Sequence, residues 1–198
     1  MVIFVKLCRS AVNQQFKAYR NMDTKLNIHE IEFYLATYAG WRKNIVVPNV
    51  SWGFFDTHEA DLLVMTPSGY LTEIEIKRSY QDLLADFEKK TNHYENKVEY
   101  MYYAVPKSIA EKSWGAIVKS FHGNKPKCGM LTYTDGGFIQ VHVQAPSISM
   151  MKGINKESNK LYIEEQLKIA RLGNMRYWTL ADKVLENYHK NKNDNKNQ

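Results

Sequence analysis

The stretch Glu59-Ala60-Asp61-Leu62-Leu63-Val64-Met65-Thr66-Pro67-Ser68-Gly69-Tyr70-Leu71-Thr72-Glu73-Ile74-Glu75-Ile76-Lys77 decides how this chain folds. Residues 59–65 form a largely apolar run of strand length, Pro67-Ser68-Gly69 is a turn signal, and Tyr70 to Lys77 reads as a returning strand. The order predicts an antiparallel hairpin. Glu73, Glu75 and Lys77 recur at period two, so they share one face of the second strand, and Thr72, Ile74 and Ile76 occupy the other.

A turn centred on Ser68 pairs residues that are symmetric about it, which sets Asp61 opposite Glu75. Directly opposed Cβ atoms lie roughly 4.5–5.5 Å apart. Two carboxylates that close repel, and one takes up a proton unless a cation sits between them. A hard divalent cation with oxygen ligands, Mg²⁺ or Mn²⁺, resolves the conflict. Lys77 follows on the same face, where it could orient or deprotonate a bound water or stabilise charge on a phosphate. A slip of one residue in the turn would remove the juxtaposition. The competing reading makes the three charges the solvated face of an edge strand, in a protein-interaction module.

Outward from the hairpin, helical spacing of Ile28, Ile31, Leu35 and Tyr38 predicts a helix over Leu26 to Ala39, with Asn27 as N-cap and Gly40 as stop. Ile45-Val46-Val47, closed by Pro48, predicts a short strand. Ser79 with Asp82 three residues on marks a helix start, and Leu83, Leu84 and Phe87 give that helix its apolar stripe. Tyr100 to Val105 reads as a strand, Ser108 to Phe121 as a helix, and Gly129–Tyr133 with Phe138–Val143 as a hairpin about Asp135-Gly136-Gly137. Leu161 to Leu172 and Met175 to Tyr188 predict two helices broken at Gly173. This alternation predicts an α/β fold with a mixed sheet. The expected organisation is an N-terminal arm or short helix over 1–25, a core over 26–145, a helical extension over 146–188 and a disordered polar tail over 189–198.

Composition sets outer bounds. The chain has 198 residues, 44% hydrophobic and 24% charged, with 10 Gly and 5 Pro, values that fit one globular domain and exclude a collagen-like or wholly disordered chain. Its formal charge of +6 permits a nucleic-acid partner without requiring one. Cys8 and Cys128 lie far apart with no CxxC, as expected of reduced thiols. No stretch approaches the roughly 20 apolar residues of a membrane span, and Lys6 cuts short the apolar start at Met1 to Val5. A cytoplasmic protein with no membrane partner is the expectation.

Asp61 followed by Glu75-Ile76-Lys77 spells D-x(13)-E-x-K, and this resembles the PD-(D/E)XK nuclease superfamily. With Glu59-Ala60-Asp61-Leu62-Leu63-Val64, Glu73 to Ser79, Asp82 to Asp86 and Tyr103-Ala104-Val105-Pro106, the chain is most similar to the MmcB-like DNA-repair-associated group, over residues 26–121. The proline of the superfamily's name is absent, since Ala60 precedes Asp61. The resemblance implies a restriction-endonuclease-like three-layer core, a mixed central sheet flanked by helices, with extra C-terminal helices here. It implies Asp61, Glu75 and the Ile76 carbonyl as ligands of Mg²⁺ or Mn²⁺, and Lys77 acting on the attacking water. It also implies an acid on the first helix, where Glu30, nearer the helix start, is preferred to Glu32.

The implied activity is metal-dependent phosphodiester hydrolysis on DNA, with RNA not excluded, in DNA repair or related metabolism. The alternative is a catalytically silent nuclease-fold protein that binds DNA or a repair partner. Further candidates each have an ordinary structural explanation: His58, Ser79 and Gln81 near the motif, Trp41-Arg42-Lys43 and Trp52 as stacking groups, and Lys89-Lys90 and Lys125-Pro126-Lys127 as phosphate contacts. The C-terminal helices suit either a homodimer interface or a substrate clamp.

Overall fold

The structure is a computed structural model that describes residues 22–51, 58–89 and 97–194. Cys8, Trp52, Lys90, most of the N-terminal arm and residues 195–198 lie outside the described residues. The elements run α1 (Ile28–Tyr38), β1 (Ile45–Val50), β2 (Ala60–Met65), β3 (Leu71–Ile76), α2 (Tyr80–Glu88), β4 (Val98–Pro106), a 3₁₀ turn (Lys107–Ile109), α3 (Ala110–Ser120), β5 (Gly129–Tyr133), β6 (Ile139–Val143), α4 (Ile148–Met151), a second 3₁₀ turn (Lys156–Asn159) and α5 (Ile163–Asp194). Among the described residues the strands form one six-stranded sheet in sequence order. β3–β4 and β4–β5 are parallel and the other pairs antiparallel, so the α/β fold with a mixed sheet and flanking helices is as expected.

The sheet has an apolar layer on each side. Leu63, Met65, Leu71, Met101, Tyr103 and Val105 pack with Leu83 of α2, Ile117 of α3, Ile148 of α4 and Ile169 of α5. On the other side Leu62, Val64, Ile74, Ile76 and Ala104 pack with Ile31 and Leu35 of α1. Alternation along β2 and β3 therefore sends Asp61, Glu73, Glu75 and Lys77 towards the α2 side, and Ile74 and Ile76 towards α1.

The hairpin turn sets the register. Gly69 N–H donates to Thr66 O at 2.9 Å, and Thr66 N–H to Tyr70 O at 3.0 Å. Gly69 holds φ +85°, a left-handed conformation that glycine adopts without a Cβ penalty. A three-residue loop closed by such a residue is a common hairpin connection. The resulting pairs, from Leu62 with Ile74 to Met65 with Leu71, are symmetric about Ser68.

Two sequence expectations are corrected. β1 does not stop at Pro48 but runs through it to Val50; among the described residues it is the outermost strand, where a missing N–H is tolerated. Gly173 does not break the C-terminal helix, which continues unbroken as α5 to Asp194, into the stretch expected to be a disordered tail. An isolated glycine costs a helix only about 1 kcal/mol, and here it allows close approach to Val47, whose Cγ2 would stand 3.2 Å from an added Cβ. Residues 23–25, the described end of the stretch read as an N-terminal arm or short helix, join the core. Asp23 N–H donates to Arg78 O, Tyr80 N–H to Asp23 Oδ2, and Thr24 Oγ1 to Asp135 Oδ1 at 2.7 Å, tying the segment to the ends of β3 and β5.

Candidate active site

β3 is the third strand of six, so its charged face cannot be the solvated face of an edge. Glu73, Glu75 and Lys77 are only 0%, 3% and 4% exposed, which corrects the edge-strand reading. Buried charge is costly unless it is paired and hydrogen-bonded, and the pairing here is extensive. Lys77 Nζ donates to Glu75 Oε2 at 3.1 Å and to Asp86 Oδ1 at 2.8 Å. Asp86, itself buried, also accepts from Tyr103 OH at 3.1 Å and from Lys89 Nζ at 3.4 Å. His58 Nε2 lies 2.9 Å from Glu73 Oε1.

Asp61 and Glu75 meet across the β2–β3 ladder. Glu75 Oε1 accepts from Asp61 N–H at 3.4 Å, and Asp61 Oδ2 accepts from Ile76 N–H at 2.7 Å. In an extended strand the N–H and C=O of one residue point the same way, so the Ile76 carbonyl is turned towards the β2 side as well. Lys77 N–H faces the opposite way, to Ala104 O at 2.9 Å. The motif thus brings two carboxylates and one backbone carbonyl to the same corner of the sheet, with an ammonium group beside them.

These groups open into a cavity of about 390 Å³ lined by His58, Glu59, Asp61, Glu75, Ile76, Lys77, Asp82, Asp86 and Lys89. Five carboxylates face two ammonium groups there, in a chain whose formal charge is +6. Burial raises the Asp61 pKa above the ordinary carboxylate value, against the lowering effects of the Ile76 N–H and Lys77. For Lys77, burial works to lower the pKa, but the Glu75 and Asp86 carboxylates outweigh it and hold the ammonium above its usual range. In this arrangement Lys77 is a fixed cation, suited to orienting water or stabilising anionic charge rather than to removing a proton.

Whether these groups suit a divalent cation turns on donor chemistry. Among the described residues no three of His, Cys, Asp and Glu form a metal-binding group by themselves. Mg²⁺ is commonly held by only one or two carboxylates, keeping several waters and taking substrate phosphate oxygens. Asp61, Glu75 and the Ile76 carbonyl are all hard oxygen donors in an acid-rich, accessible cavity, and they fit that pattern.

Glu30 is not brought to this site. It forms a capping box with Asn27: Asn27 N–H donates to Glu30 Oε2 at 2.7 Å, and Glu30 N–H to Asn27 Oδ1 at 3.0 Å. Glu32 accepts from Asn49 Nδ2 and lies 3.0 Å from His29 Nδ1. Both belong to α1, on the face of the sheet opposite Glu75 and Lys77. Ser79 accepts from Asp82 N–H as the N-cap of α2. Trp41 is stacked by Arg42, 5.0 Å from its ring, and neither residue lines the cavity; nor do Lys125 and Lys127. The residue that sequence reasoning missed is Asp86. Its signal is position: three residues after Leu83, it places an acid on the buried side of an amphipathic helix.

No family model and no curated protein matches the chain. Among solved structures it is similar to the SPO1766 protein of unknown function from Silicibacter pomeroyi. That match has 18% identity and a TM-score of 0.54, covering 80% of this chain and 94% of the other. The likeness supports the α/β architecture. Among the described residues no helix is long and apolar enough to cross a membrane.

Proposed function

We propose that the cavity at the β2–β3 corner is the active site of a metal-dependent phosphodiester hydrolase acting on DNA, of the PD-(D/E)XK type. The observation that carries this reading is the register: the hairpin sets Asp61 beside Glu75 and turns the Ile76 carbonyl to them, with Lys77 buried alongside. Asp61, Glu75 and the Ile76 carbonyl would hold Mg²⁺ or Mn²⁺, which supplies the Lewis acidity that activates water and neutralises charge on the phosphate. Lys77, fixed by Glu75 and Asp86, orients the attacking water and faces the developing negative charge. Lys89, with a side chain 58% exposed at the cavity, meets the incoming phosphate.

A cleavage assay tests the proposal: supercoiled plasmid and single-stranded DNA and RNA, with Mg²⁺, Mn²⁺ or EDTA, for wild type and Glu75→Ala. Metal-dependent cleavage that EDTA and Glu75→Ala both abolish is expected. Nucleic-acid binding without cleavage under any metal would replace it with the reading of a silent nuclease-fold protein that holds DNA or a repair partner.

A further inference from the structure

α5 is held to the body of the protein near its start. Ile169 is buried in the core, Leu172 packs against the same layer, Gly173 approaches Val47, and Arg176 Nη2 donates to Asn49 O at 2.7 Å. These residues follow helical spacing and define the face that lies on β1. A second, different stripe runs along the same helix. Ile163, Ala170, Tyr177 and Val184 recur every seven residues, and Leu167, Asn174, Ala181 and Tyr188 do so between them, giving alternating steps of four and three. At 3.6 residues per turn this stripe lies roughly 130° around the helix from the anchored face. It is therefore not a continuation of the core contact.

The stripe faces solvent: Ile163, Tyr177, Val184 and Tyr188 are 59–62% exposed. Trp178, Leu180 and Leu185 flank it and are equally open. An apolar surface this continuous on one helix is unusual for a free monomer. Strict heptad spacing is what a helix needs when its partner is a helix that supercoils with it; a helix resting on a globular surface follows 3.6 instead.

We propose that α5 pairs in parallel with α5 of a second copy of this chain, as a two-stranded coiled coil. With Leu167 and Tyr188 at a positions and Tyr177 and Val184 at d positions, Asn174 falls at an a position. A buried asparagine there is satisfied by its own counterpart across a two-fold axis, in register and in parallel, and would be left unpaired against an apolar groove. The patch is thus self-complementary, as an isologous interface requires. Its aromatic side chains, of a type that buries roughly 150–250 Å² each, are about three-fifths exposed, so with their aliphatic neighbours they offer on the order of 700 Å² per chain. A stable interface takes about 800 Å² from each partner.

Sedimentation of the full chain across a range of concentrations tests this, with wild type, Val184→Glu in the seam and Lys183→Glu on the opposite side of the helix. Wild type and Lys183→Glu are expected to be dimers, and Val184→Glu to dissociate at least about tenfold more readily. Circular dichroism shows whether the helix survives the substitution. Independently of that, Ala181→Cys in a Cys8→Ser background places identical thiols across the axis, and mild oxidation is expected to give a covalent dimer. A wild type that stays monomeric with its helix intact overturns the pairing, as does a dimer that Val184→Glu leaves unchanged. A dimer that Ala181→Cys cannot cross-link overturns the parallel register. None of these readouts depends on cleavage, so they are separable from the proposed activity.

Discussion

Asp86 and Lys77 show how one carboxylate can set what a neighbouring cation does. Lys77 has two carboxylate partners in the interior, and removing one leaves charge that is buried and only half compensated. Asp86→Ala is expected to lower stability by roughly 3 kcal/mol, the scale of a broken buried ion pair, with the loss read by urea denaturation. Asp86→Asn keeps the shape and one acceptor, so it should cost less stability while still reducing cleavage, because Lys77 then keeps only the Glu75 charge to hold it. Glu30 carries the opposite expectation. Its carboxylate closes a capping box on the far side of the sheet, so Glu30→Gln should leave metal binding and cleavage unchanged. Asn27→Ala should cost about 1 kcal/mol of stability, as loss of an N-cap does. Of the site, Asp61, Glu75 and Lys77 were legible because period-two alternation and a turn centre are local properties of a few residues. Asp86 was not: its partners, Lys77 and Tyr103, come from two different strands, and nothing in a run of α2 residues reports what lies beneath it.

Among the elements, the β2–β3 hairpin positions the proposed site because its turn fixes which side chains oppose each other. Gly69 sits in the left-handed region, and a Cβ there would also stand 2.8 Å from Gln166 Nε2. Gly69→Ala is therefore expected to lower the melting temperature and weaken metal binding together, since strain in the turn is relieved by shifting the Asp61–Glu75 register. A fall in melting temperature with unchanged metal affinity would instead place the register under the control of the strand cores. The elements that the sequence misplaced share a cause. Pro48 and Gly173 are breakers by local propensity, and each is tolerated because of its tertiary surroundings: the outermost of the described strands for the proline and close contact with β1 for the glycine.

For the whole molecule, the strap at residues 23–26 joins the end of β3 and the start of α2 to the turn between β5 and β6. Asp135, at that turn, has its carboxyl pKa lowered by the hydrogen bond from Thr24, aided by the Lys25 N–H. A lowered folded-state pKa adds stability that is present above the ordinary carboxylate value and is lost as pH falls through the folded value. Melting curves of wild type and Asp135→Asn should accordingly differ at neutral pH and converge in acid. The strands of the sheet and the hairpin register were accessible from sequence because each rests on the pattern of a few neighbouring residues. The order of β1 to β6, and the face that α1 covers, depend on contacts between distant segments, so the sequence of α1 does not report that Glu30 lies across the sheet from Glu75.

The central claim, a divalent-cation site built by Asp61, Glu75 and the Ile76 carbonyl, is tested most directly by titrating Mn²⁺ and Mg²⁺ into wild type and Asp61→Asn by calorimetry, without nucleic acid. A saturable site in wild type that disappears in a folded Asp61→Asn is the expected result. Equal binding by both proteins, or none by wild type, would contradict the site.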